Sequence, residues 1–203
     1  MTSRFSPFTY RQVLGQREEA APDAVVSLLT AIGEDHTRPG LIETPDRVTK
    51  AWMEWTAGYD IEPAELLKCF EDGAEGVDEM VVVTGIPVYS HCEHHMAAIF
   101  GTADVAYIPD GKIVGLSKIP RVVDAFARRL QVQERLTNQI ADCLQHNLQP
   151  KGVGVRLRCR HMCMESRGIN RPGTETHTSA LRGVLRTDAA ARAEFLALVG
   201  RGG

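Results

Sequence analysis

Five consecutive positions, His91-Cys92-Glu93-His94-His95, hold one thiol, three imidazoles and one carboxylate, and a second group, His161-Met162-Cys163, lies far downstream. Thiolate and imidazole donors together favour zinc over the harder cations. Cys92 and His95, spaced i and i+3, can reach one ion from a single turn of backbone, and Cys163 supplies a distant third donor. Three protein ligands leave the fourth tetrahedral position to water, the arrangement of a catalytic zinc. The competing arrangement is a closed structural zinc held by Cys92, His95, His161 and Cys163. It leaves Glu93 and His94 unused, and a chain of this length has enough core to fold without a metal staple. In the open arrangement His94 and His161 remain as proton-transfer groups.

The elements that must position these groups follow from hydrophobic period and from turn residues. Val25, Val26, Leu28, Leu29 and Ile32 repeat at helical spacing and stop at Gly33, and Thr44-Pro45 reads as the start of a second helix bearing Val48, Ala51, Trp52 and Trp55. A third short helix is expected over Pro63 to Phe70. The character then turns to β: strands over Met80 to Val88 and Ala97 to Ile108 bracket the histidine-rich turn. Helices are expected from Ser117, as N-cap, to about Leu130 and from Gln133 to Leu148. Val153 to Cys163 alternates, which places His161 and Cys163 on one strand face and Arg156, Arg158 and Arg160 on the other, toward solvent or a subunit contact. A fourth strand over Thr176 to Arg186 and a last helix capped by Asp188 complete the chain. The expected fold is α+β, an antiparallel sheet with helices on one face. The expected division is a mobile arm at 1–20, a helical region at 21–75 and a catalytic domain at 76–203.

Composition narrows the partners. The 203 residues are 43% hydrophobic and carry a net charge of −3, so nothing draws the whole chain to nucleic acid or to an anionic membrane. No apolar run approaches the roughly 20 residues that span a bilayer, and Met1 to Gln16 lacks the apolar core of a secretory signal. Five cysteines at irregular spacing point to a reducing compartment, so a cytoplasmic location is expected. His91-Cys92-Glu93 matches the His-x-Glu half of the nucleobase deaminase signature, but the Pro-Cys-x-x-Cys half is missing. A His-Glu-x-x-His helix, a phosphate-binding glycine loop ending in Lys-Ser/Thr and a Gly-x-Ser-x-Gly elbow are also missing.

Several longer strings together carry a resemblance. Cys92-Glu93-His94-His95, Val105 to Pro109, Gly115-Leu116-Ser117-Lys118, Val123 to Thr137, and Arg160-His161-Met162-Cys163-Met164 with Arg167-Gly168 resemble GTP cyclohydrolase I, in order, over roughly Glu43 to Leu196. The resemblance implies the tunnelling fold, a ββααββ unit, assembled as a toroidal homodecamer. It implies hydrolysis of the guanine imidazole ring of GTP, with Zn2+ held by Cys92, His95 and Cys163 and with His94 and His161 catalytic. Glu134 matches the carboxylate that accepts from guanine N1 and the 2-amino group. Gln133, Ser117, Lys118, Arg121 and Arg167 match positions around the purine, ribose and triphosphate. The chain departs from the family pattern at Met96-Ala97-Ala98, at Ile119-Pro120 and at Glu165-Ser166, which flank the site without removing a ligand.

Overall fold

The computed structural model describes residues 21–200, so the arm expected at 1–20 lies outside the described residues. The chain divides into two compact units, Met1–Glu54 and Trp55–Gly203. In the first, the described residues form a helix over 21–31, here α1, and α2 (Thr44–Trp55), separated by turns.

The second unit is built on β2 (Val81–Cys92), which runs 12 residues where the β-branched run alone predicts nine. It pairs antiparallel with β3 (Ala98–Ile108), and the register slips between Val83 and Ile86. Gly85 takes a φ of 70° there, a left-handed conformation that costs glycine nothing, and one extra residue is accommodated as a bulge. The bulge resets the alternation of side chains. Val81 and Val83 before it, and Ile86, Val88 and Cys92 after it, all pack into the same core cluster. Pro87 continues the strand because β2 has no other partner at that point, and its missing N–H faces the open side.

β3 pairs antiparallel with β6 (Gly152–His161), and β6 with β7 (Glu175–Gly183). A two-residue strand, β5 (Leu130–Gln131), adds to the far edge of β2 in parallel, giving the order β5-β2-β3-β6-β7. β1 (Cys69–Phe70) and β4 (Ile113–Val114) form a separate ribbon. Between β3 and β6 come α3 (Lys118–Ala127) and α4 (Gln133–Leu148). Their inner faces, Ile119, Val122, Val123 and Phe126 on α3 and Leu136, Ile140 and Leu144 on α4, cover Val105, Tyr107, Val153, Val155 and Leu157 of the sheet. Fully burying one such aliphatic side chain contributes about 1.5–3 kcal/mol. The core order β2-β3-α3-α4-β6-β7 is the ββααββ arrangement of an α+β fold.

The other face of the sheet is partly covered. After α5 (Met162–Glu165), β7 and α6 (Val184–Thr187), the last helix α7 (Ala189–Gly200) packs Phe195 and Val199 against Ala106, with Val82, Ile108 and Leu181 at the rim. Beneath α7 the arginine stripe departs from expectation. Arg156 donates to the Asp104 carboxylate (Nε 3.0 Å, Nη2 2.7 Å) and to the Val199 carbonyl, and Asp104 also accepts from the Gly85 N–H at 3.0 Å. Arg156 therefore ties the bulge to α7 instead of facing solvent.

Three further expectations are corrected. Pro63 to Phe70 is a single 3-10 turn, Pro63–Leu66, followed by β1, because Glu62 caps the turn but no apolar face continues it. The helix expected to reach Leu130 ends at Ala127, where Leu130 and Gln131 leave to pair with His91 and Cys92. Cys163 is not on the strand with His161: β6 ends at His161, and Cys163 sits in the helical turn α5.

Candidate metal centre

The turn after β2 is closed by its own backbone. Cys92 N–H donates to the Ala97 carbonyl and Met96 N–H to the Cys92 carbonyl, both at 2.8 Å, and Met96 takes a left-handed φ of 52°. Such a closure usually carries Gly or Asn, because a Cβ in this region is strained. The turn delivers Cys92, buried, and His95, exposed, to one side. From the opposite side α5 delivers Cys163. One donor atom from each of these three residues lies within 4.8 Å of the other two. Tetrahedral zinc with thiolate and imidazole ligands needs donors about 3.4–3.8 Å apart, so the three fit one ion with a small adjustment of side chains. Burial pushes the Cys163 thiol up, the adjacent Cys92 sulfur adds to the rise, and the Arg167 charge opposes it. Two sulfurs crowded in this way are relieved by a shared cation.

His161 is outside the three-donor group. Its Nε2 lies 2.7 Å from Gln133 Oε1, which separates the arrangement from a closed four-ligand site. Burial holds the His161 imidazole below its usual range, against the opposing charges of Glu134 and Glu165. His94 is exposed at the tip of the turn, edge-on to His95 with ring centroids 6.4 Å apart, and its Nε2 lies 3.9 Å from Glu93 Oε1.

The first turn of α4 splits two neighbours. Glu134 is exposed, while Gln133 is 1% exposed with its amide engaged inside the protein. Ser117 stands at the N-terminus of α3 but its hydroxyl makes no capping bond. Lys118 is half-buried and Arg121 and Arg167 are exposed, and none of the three has a side-chain hydrogen bond or ion pair among the described residues.

Sequence reasoning left two supports unseen. Glu93 accepts from Arg135, whose Nε also donates to Gln131 Oε1 at 3.1 Å, while the Glu93 N–H donates to the Gln131 carbonyl at 3.0 Å. Glu93, unassigned in the sequence, thus braces the turn against β5 and α4. Glu165, one of the departures, is buried and accepts from Arg160 Nε at 2.8 Å and from the Gly173 N–H at 3.0 Å. Arg160 beside Glu165 holds its carboxyl down to about 2. It anchors the 166–174 loop that carries Arg167. The i, i+5 spacing of Arg160 and Glu165 across the end of a strand was the available signal.

An α+β chain with a Cys-His-Cys group able to hold one metal ion, and a histidine outside that group two residues before its third donor, is the class these observations define. The model of the GTP cyclohydrolase I family matches residues 21–200. A protein named GTP cyclohydrolase 1 from Janthinobacterium sp. (strain Marseille) is 66% identical over 171 residues, covering 84% of this chain and 86% of that one. One of the same name from Nitrosospira multiformis is 64% identical over 171 residues, with 84% and 90% covered, and one from Mycobacterium tuberculosis (strain ATCC 25177 / H37Ra) is 52% identical over 186 residues, with 91% and 90% covered. The chain belongs to the GTP cyclohydrolase I family, and is a hydrolase by that membership. Among the described residues no helix is long and apolar enough to cross a membrane.

Proposed function

We propose that the chain hydrolyses the guanine imidazole ring of GTP, releasing formate and forming 7,8-dihydroneopterin triphosphate, the first step toward tetrahydrofolate and related pterins. The observation that carries this reading is the convergence of Cys92, His95 and Cys163 next to His161, in a chain whose relatives bear the name GTP cyclohydrolase 1. Zn2+ held by the three residues would act as a Lewis acid and acidify water at about neutral pH. His161 and His94 carry protons to and from the imidazole-ring nitrogens as water adds at C8, the ring opens to a formamide, and a second hydration frees formate. Ribose opening, an Amadori-type rearrangement and reclosure need proton transfers from the same side chains. The Glu134 carboxylate, exposed at the start of α4, takes the paired N–H donors of the guanine edge. Lys118, Arg121 and Arg167 take the triphosphate, and the Ser117 hydroxyl is free for the same ligand. Gln133 contributes through His161.

The proposed working form is a cytoplasmic homo-oligomer, a toroidal decamer by family resemblance. β7 lies at the edge of the sheet, and Tyr89 stands 70% exposed on β2. Sedimentation of the purified chain reads the assembly directly.

Formate released from GTP by purified, zinc-loaded protein, with the accompanying rise in pterin absorbance, tests the reaction. Absence of formate at every metal loading overturns it. His161→Ala is expected to abolish turnover while about one zinc per chain is retained.

A further inference from the structure

The amide of Gln133 is the centre of a hydrogen-bond chain whose direction is fully set by its two ends. Its Nε2 faces the Thr176 carbonyl at 2.9 Å and the Leu157 carbonyl at 3.4 Å, with Thr178 Oγ1 at 3.1 Å. Backbone carbonyls only accept, so the amide nitrogen must occupy this side. Flipping the amide would set its oxygen against a carbonyl oxygen in a buried site, at the cost of an unsatisfied pair. The hydroxyls agree with this direction. Thr137 Oγ1 donates to the Gln133 carbonyl at 2.7 Å, which uses its only proton, so Thr178 Oγ1 donates to Thr137 Oγ1 at 2.7 Å and is left to accept from Gln133. Gln133 Oε1 is then a pure acceptor 2.7 Å from His161 Nε2. The proton on that edge of the imidazole belongs to Nε2.

We propose that Gln133 is a positioning residue that locks neutral His161 in the Nε2-protonated tautomer, with Thr178 and Thr137 fixing the direction of the amide. Nδ1 is thereby the only nitrogen of His161 left to exchange a proton with a ligand. The Gln133 amide N–H groups are taken by Thr176, Thr178 and Leu157, and its Oε1 is turned to His161. The catalytic consequence rests on the reading of His161 as a proton carrier, whereas the lock itself does not.

The test uses the full-length, zinc-loaded chain carrying 15N-labelled histidine. Two-bond proton–nitrogen spectra without substrate are expected to show the His161 signals, identified by their loss in His161→Ala, in the single Nε2–H pattern. Gln133→Leu is expected to give a tautomer mixture. A mixture or the opposite tautomer in the unsubstituted chain overturns the lock whether or not GTP is hydrolysed, and an inactive chain with the Nε2–H pattern overturns only the reaction. For turnover, Thr178→Val, which does not touch His161, is expected to lower kcat about ten- to a hundred-fold with the KM for GTP unchanged, part of a general acid–base contribution. Thr178→Ser keeps the hydroxyl and is expected to restore kcat. A silent Thr178→Val together with a raised KM in Gln133→Leu would make Gln133 a substrate contact and sink the proposal. Should Gln133→Leu fail to fold, the Thr178 pair and the spectrum of the unsubstituted chain still decide.

Discussion

The two walls of the candidate metal centre are held by different means. The wall made by residues 92–97 is closed through main-chain hydrogen bonds, Cys92 to Ala97 and Met96 to Cys92, and it continues a strand paired on both sides at its end. The wall made by α5 and the 166–174 loop has main-chain bonds within itself, Ser166 N–H to Met162 and Arg171 N–H to Met164, both at 3.0 Å, but one buried carboxylate, Glu165, ties it to Arg160 of β6 and gathers the Gly173 N–H. Main-chain closure survives most side-chain changes. A loop gathered by one buried side chain does not, since losing that side chain leaves its donors unpaired. One wall is thus tolerant of substitution and the other exposed to it.

Substitutions on the two walls put this contrast at risk in decreasing order of effect. Cys163→Ser removes the sole sulfur donor of the side-chain-held wall, and metal content after dialysis is expected to fall from about one ion per chain to near zero. Glu165→Ala keeps all three donors but releases the segment that carries one of them, and zinc affinity by competition with a chelating dye is expected to drop about ten- to a hundred-fold. An unchanged affinity there would erase the difference between the walls. Met96→Gly on the other wall relieves a left-handed non-glycine residue and should raise stability by about 1 kcal/mol, read as a higher melting temperature with metal affinity unaltered. Glu93→Gln breaks an ion pair whose partners are both substantially solvated, so a shift within about 1 kcal/mol is expected in a urea melt. A larger loss would show that the main-chain-held wall also leans on a side chain.

What the sequence made legible followed from local rules. The three donors that converge, the α4 boundaries and most of the long strands come from period and spacing, which act within a few residues. The misses have tertiary causes. β5 is two residues long and exists only because His91 and Cys92 offer an edge, so no pattern in Leu130-Gln131 announces it. Alternation through His161 continued in the sequence to Cys163, but the chain turns into α5 there and brings Cys163 to the metal group by another path. Gln133 is a different case. The resemblance assigns it to the surroundings of the substrate, whereas at helical spacing it shares a face with Leu136, Thr137, Ile140 and Leu144, all buried, so its inward direction was readable. A buried amide in a row of apolar residues implies a buried partner, and His161 is that partner.

The bulge at Gly85 carries a consequence for how this chain tolerates changes in length. Because side chains alternate along a strand, the one extra residue between Val83 and Ile86 has to be taken up by the bulge for everything after it to keep its face of the sheet. Deleting one residue from the regular stretch between Ile86 and Cys92 would present His91 to the helices and turn Cys92 outward, away from His95 and Cys163, whereas deleting the bulge residue itself would restore plain alternation and keep Val83, Ile86, Val88 and Cys92 on one face. Deleting a residue from the Asp110-Gly111 turn after β3 would leave the parity of every ligand intact.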